Sequence, residues 1–290
     1  MGKIAIVTDS NSGITPALAK EWGVFVVPMP FFINEKVYYE DLTLTQPEFY
    51  RCMEQNAEIS TSMPAIGEIS DLWEKLLQDY DQVLHIPMSS GLSGSCGAAM
   101  ALAQDFDGKV QVVDNKRISV TQKLSVREAR DMVAMGWSAE KIKKYLEDTQ
   151  YDSSIYITLN TLYYLKKGGR ITPAAAALGT LLRLKPVLQI QGDKLDAYAK
   201  SRTLKAAKAT MLEAIQKDMR ERFHAKENAE DMEISVVYSG TDMTEVEIWK
   251  NEVQEVFPNH TLMMDPLSLS VACHIGPGAL AITCSKKFQG

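Results

Sequence analysis

Short apolar runs alternate with stretches of helical periodicity through the first half of the chain. Residues 3–8 read as a buried strand, 15–22 as a helix and 24–27 as a second strand. Between the first two lies Asp9-Ser10-Asn11-Ser12-Gly13, a turn rich in helix-capping residues. Residues 46–55 repeat apolar positions at helical spacing, with Pro47 suited to a first turn, and 66–80 do the same. A strand at 82–86, an alanine-rich helix at 96–104 and a strand at 109–113 continue the alternation. Strands separated by helices need crossover connections, so the pattern predicts βαβ units and a mainly parallel sheet.

The rhythm changes near residue 151. A strand at 154–159 leads to a short helix at 161–167 closed by Gly168-Gly169. An apolar helix is predicted at 173–184, with four successive alanines from Ala174 to Ala177. Residues 186–191 and 194–199 flank Gly192-Asp193 and read as a β-hairpin. A long helix at 204–223, a strand at 232–238, a helix at 245–257 and a strand at 261–264 follow. The hairpin implies antiparallel pairing, hence a mixed sheet. The expected fold class is α/β with two domains. Residues 1–150 form a three-layer α/β/α domain with a mainly parallel sheet, and 151–290 an α/β domain with a mixed sheet.

Composition narrows the class. Hydrophobic residues make up 46% and charged residues 23%, as in a soluble globular protein. The most apolar stretch, 24–33, is broken by Pro28 and Pro30 and is far shorter than the roughly 20 residues of a membrane span. The first residues lack the layout of a signal peptide, so a cytoplasmic location with no integral membrane segment is expected. Cys52, Cys96, Cys273 and Cys284 form no Cys-x-x-Cys pair, which argues against a disulfide framework and against a metal site. The net charge of −6 argues against nucleic-acid binding, yet residues 153–208 hold ten basic and two acidic side chains, a net of +8. That stretch either steers an acidic partner or anionic ligand, or is a set of solvated faces.

The richest chemistry lies where the strand at 82–86 runs into Ser89-Ser90-Gly91-Leu92-Ser93-Gly94-Ser95 before a helix. In a parallel sheet such a loop lies at the carboxyl edge, where ligands bind. Helix-start N–H groups and serine hydroxyls suit a carboxylate or phosphate, although a plain strand-to-helix turn has the same composition. The loop lacks the final glycine of a nucleophile elbow and the lysine of a Walker loop. Thr61 and Ser62 precede a helical pattern and are either donors to the same site or an N-cap. His274 stands beside Gly276-Pro277-Gly278, as a site residue or a structural histidine. Arg202 either reaches inward as a fixed charge or is solvated at a helix start.

Taken in order, these segments resemble the DegV family over nearly the whole chain. The resemblance is carried by Thr8-Asp9-Ser10-Asn11-Ser12, Ser60-Thr61-Ser62 with Pro64, and Ser90-Gly91-Leu92-Ser93-Gly94. Lys167-Gly168-Gly169-Arg170-Ile171, Lys185-Pro186-Val187-Leu188, Ser201-Arg202-Thr203 and His274-Ile275-Gly276-Pro277-Gly278 continue it. It implies a non-enzymatic carrier that encloses one long-chain fatty acid in an apolar tunnel and needs no other cofactor. The carboxylate would be held by Thr61 and Ser93, with Ser62, Ser90 and Gly94 beside them and Arg202 and His274 as nearby basic residues. The resemblance also implies a fatty acid kinase as partner, making an acyl phosphate for phospholipid synthesis, with Arg170 exposed on the docking surface. Two departures thin the head-group network: Met63 stands where the family commonly has Gln, and Ala65 where it has Ser. Residues 116–121 also depart from the family's small-residue pattern. The alternatives are a dihydroxyacetone-kinase-like phosphotransfer component and a lipid-sensing regulatory protein.

Overall fold

The computed structural model describes residues 2–178, 184–192 and 194–290. The first part of the chain folds as β1 (Ile4–Asp9), α1 (Pro16–Trp22), β2 (Phe25–Val27), β3 (Phe31–Ile33), β4 (Lys36–Tyr38) and α2 (Gln46–Glu54). It continues through β5 (Ile59–Thr61), α3 (Ile66–Leu76), β6 (Gln82–Ile86), α4 (Ser95–Leu102), β7 (Val110–Val112), α5 (Val120–Ala134) and α6 (Ala139–Asp148). The second part holds β8 (Ser153–Thr158), α7 (Tyr163–Gly168), α8 (Pro173–Leu178), β9 (Lys185–Ile190), β10 (Asp196–Ser201) and α9 (Leu204–Glu221). It ends with β11 (Met232–Tyr238), α10 (Thr244–Val256), β12 (Met263–Pro266), α11 (Leu269–Ile275) and β13 (Leu280–Lys286).

The parallel sheet has the order β2-β1-β6-β7, and its apolar strands are covered on both faces. α5 and α6 bury Val126, Met132 and Ile142 on one side, while Trp73 of α3 and Ala99 of α4 pack the other. The mixed sheet has the order β10-β9-β8-β13-β11-β12, antiparallel except for β11 with β12. The two-domain α/β class read from the sequence is therefore the observed one.

Strand alternation gives the mixed sheet two different faces. Tyr156, Val187, Val236 and Ile282 point to α9 and α10 and pack on Met211 and Trp249. Their neighbours Ile155, Ile157, Leu188, Val237 and Ala281 point the other way, toward the first domain. There they meet Met29, Met88, Leu92 and Ile118, which follow β2, β6 and β7. The surface between the domains is thus the carboxyl edge of one sheet against the face of another.

Several elements differ from the sequence reading. A third, antiparallel sheet of order β4-β3-β5 packs with α2 against α11 through Phe31, Phe49, Leu269 and Ala272. Its strands are three residues each, too short to show a period. β13 lies in the middle of the mixed sheet, so it is buried on both faces and shows no polar alternation. α5 buries Thr121, Gln122, Lys123, Ser125 and Glu128, which blurs its apolar stripe. The hairpin is present as β9 and β10, with Asp193 of its turn outside the described residues. The helix expected at 173–184 is described only to Leu178, and 179–183 lie outside the described residues.

Candidate functional site

A cavity of about 310 Å³ lies between the two domains. Drug-sized ligands occupy pockets of roughly 300–1,000 Å³. Its floor is the mixed-sheet face, with Ile155, Ile157, Ile190, Val237 and Ala281. Met29, Met88, Leu92 and Ile118 close it from the first domain, and Leu165 and Ile275 from α7 and α11. Thr61, Ser62, Ser93, Gly94, Arg170 and His274 add polar groups. Ser62, Met63 and Gly94 are also exposed to solvent, which places the mouth of the cavity beside Thr61 and His274.

The polar end is built by four local structures. Thr61 is the last residue of β5, paired with Phe31, so it is not an N-cap; that position before α3 is taken by Ala65. His274 lies in the last turn of α11, and its Nε2 is 2.8 Å from Thr61 Oγ1. With the proton on Nε2 the ring donates to Thr61, whose own O–H is then free to donate into the cavity. Gly168 makes room for the ring, because a Cβ there would lie 2.1 Å from His274 Nδ1. Gly169 has φ +69° and ends α7 in the left-handed conformation, which turns Arg170 toward the cavity. Ser93 Oγ accepts the Ser95 N–H at 3.2 Å, leaving its O–H available as a donor.

Burial, and then the charge of Arg170, push the His274 imidazole down to about 4, so it is neutral at pH 7. Arg170 is half-buried, donating through Nε to the Leu92 carbonyl at 3.4 Å and through Nη1 to the Gly168 carbonyl at 2.5 Å. The polar end therefore holds one fixed positive charge and neutral donors, a set that suits a carboxylate.

Two expected site residues lie elsewhere and one has moved. Ser90 is absent from the cavity wall: its hydroxyl donates to Asp114 Oδ2 at 2.6 Å and is contacted by Lys116. Arg202 is exposed just before Thr203, the N-cap of α9, and does not reach the cavity. Arg170, expected as an exposed docking residue, lines the cavity instead. The sequence signal for that was the glycine pair before it, which serves the histidine and the turn together. The basic stretch 153–208 is also dispersed. Lys208 is buried against Trp249 and pairs with Glu245 and Glu252 at 3.3 Å each, and Lys185 donates to Asn160 at 2.6 Å. Arg183 and Asp193 lie outside the described residues.

Asn11, Ser119, Ser270 and Thr283 also line the cavity, and none was singled out from the sequence as a site residue. Ser119 has φ 57° and ψ −138°, a conformation that costs a non-glycine residue about 1–3 kcal/mol. Among the described residues no cluster of three or more His, Cys, Asp or Glu side chains is placed to hold a metal ion. No helix among them is long and apolar enough to cross a membrane.

Comparison with known proteins adds a family. A model of the DegV family, described as uncharacterised proteins, matches residues 3–287. A DegV domain-containing protein of Listeria innocua is 31% identical over 288 residues, covering 98% of this chain and 99% of its own. One from Deinococcus radiodurans is 30% identical over 286 residues, covering 96% and 97%. Among solved structures, a DegV family protein from Thermus thermophilus described by its fatty acid binding superposes with a TM-score of 0.88. It has 30% identity and covers 98% of this chain and 99% of its own. DegV of Bacillus subtilis, described as a fatty acid binding protein, superposes with a TM-score of 0.86 at 27% identity, covering 99% and 100%. The chain belongs to the DegV family.

Proposed function

We propose that the protein carries one long-chain fatty acid, with the carboxylate at Thr61, Ser93, Arg170 and His274 and the acyl tail along the mixed-sheet face. The observation that carries this reading is the polarity gradient of the cavity. Hydrogen-bond donors and one cation gather at its mouth, and apolar side chains line its body. Each buried CH₂ of a tail contributes about 0.8 kcal/mol, so the apolar body supplies most of the affinity. A buried carboxylate is costly unless paired and hydrogen-bonded, and the mouth meets both needs. The fatty acid binding described for the Thermus and Bacillus relatives supports the same reading.

In this reading the carboxylate near the mouth is presented to a fatty acid kinase, which makes the acyl phosphate used in phospholipid synthesis. Denaturing extraction of the purified protein followed by mass spectrometry should yield an acyl lipid in about one-to-one ratio. Repeated extraction of none, with no uptake of added oleate or palmitate, would end the carrier reading. Mixing the loaded protein with the kinase and ATP tests the second step. Bound fatty acid that never becomes acyl phosphate with any such kinase leaves a carrier without that partner.

A further inference from the structure

Two hydroxyl groups sit in the cavity wall away from the mouth. Ser119 and Thr283 are 6% and 2% exposed, both line the cavity, and among the described residues neither hydroxyl has a hydrogen-bond partner. Both open onto the cavity, so an unbroken acyl tail filling it would bury them with no partner, which is costly. Ser119 is also held in a backbone conformation that glycine favours, which keeps its side chain on the cavity wall.

Their depth follows from the elements that carry them. The Ser119 N–H donates to the Asn11 carbonyl at 3.0 Å, and Asn11 Oδ1 accepts from the Ser270 hydroxyl. Ser270 precedes His274 on α11 by four residues, about 6 Å along the helix. On the floor, Thr283 lies two residues beyond Ala281 on the same face of β13, about 6–7 Å along the strand. Both hydroxyls thus line the cavity apart from Thr61, Ser93, Arg170 and His274, on the part of the wall where the carrier reading puts the tail.

Resting on the carrier reading, we infer that the cavity selects a long-chain acid bearing a hydroxyl partway along its tail. Such an oxygen can donate to or accept from Ser119 or Thr283, pairing a group that a plain tail leaves bare. A site built to bond a hydroxyl discriminates strongly against the analogue that lacks it.

The test offers the protein equimolar stearic acid and hydroxystearic acids with the hydroxyl at mid-chain, and reads bound species by native mass spectrometry. The expected result is a preference of about tenfold or more for one hydroxy acid. Thr283→Val keeps the shape without the hydroxyl, and Ser119→Gly suits the backbone there; each should shrink the preference for the hydroxy acid over stearic acid. Equal binding of both acids, as when a water molecule bridges the two hydroxyls, overturns the inference. So does a preference that survives both substitutions. Binding of neither acid overturns the carrier reading itself, and the inference with it.

Discussion

At the scale of single residues, the mouth depends on a close approach between a glycine and an imidazole. Gly168→Ala would set a methyl group 2.1 Å from His274 Nδ1, and the ring must leave its place. The Thr61 contact breaks with it. Fatty acid affinity measured by displacement of a fluorescent analogue should fall at least several-fold, whereas Gly169→Ala should act mainly on stability through its positive φ. Equal affinity for Gly168→Ala and the parent would remove His274 from the head-group end. Under the carrier reading Ser93→Ala and Thr61→Ala each delete one donor to the proposed carboxylate and should each weaken binding by about 1–3 kcal/mol. Unchanged affinity in both would place the carboxylate elsewhere. Thr61, Ser93 and His274, which line the cavity, were legible as candidates because Ser- and Gly-rich stretches and a Gly-Pro-Gly turn are local signals. Arg202 was misread because reach depends on the path of the chain: the residue lies at the exposed start of α9.

At the scale of elements, α11 carries the site and is held from outside by a carboxyl group. Glu40 accepts the Leu269 N–H at 2.7 Å and the Gln46 side-chain amide at 2.8 Å. Burial pushes Glu40 up to about 7, against these hydrogen bonds. Its stabilising contribution is full below about 4.5, where the unfolded side chain is also protonated, and is lost as pH rises through 7. Burial acts oppositely on His85 and His274, lowered to about 3 and about 4. Their contribution is present above about 6.5 and is lost as pH falls toward those values. The two slopes oppose each other between pH 4.5 and 6.5. Glu40→Gln removes the falling one, so its urea midpoint should rise more steeply with pH than that of the parent. Parallel profiles would show that Glu40 does not titrate as described. Neither α11 nor β13 was legible in the sequence. A seven-residue helix shows under two turns of period, and a strand buried on both faces has no alternation to read. The parallel strands, by contrast, were flanked by clear helices and turns.

At the scale of the whole molecule, the domains are tied at points far apart in sequence. Lys123 pairs with Asp265 at 2.5 Å and Arg127 with Glu233 at 3.1 Å. Phe288, beyond β13, packs edge-on against Trp137 and Tyr145 at 5.6 and 5.2 Å between ring centroids. Phe288→Ala should cost about 1–3 kcal/mol of stability, less than a fully buried ring because the side chain is half-exposed. Chemical denaturation would show it, and a loss within error would mean that the C-terminal tail does not hold the domains together. A ligand between the domains binds only when both are folded. Fatty acid at a hundred times its Kd should therefore add about 2.7 kcal/mol to unfolding, read as a shift in the urea midpoint between stripped and reloaded protein. An unchanged midpoint on reloading would place the ligand outside the interface.

The alternation of side chains along β8 and β13 carries a consequence for how such a molecule diverges. If the cavity holds the proposed acyl tail, every second position answers to that ligand and the positions between answer to the scaffold. Substitutions at Ile155, Ile157, Ala281 and Thr283 can then reshape the cavity while Tyr156 and Ile282 keep α9 and α10 in place. A scaffold shared at 30% identity, as with the Thermus protein, is thus compatible with a differently shaped cavity.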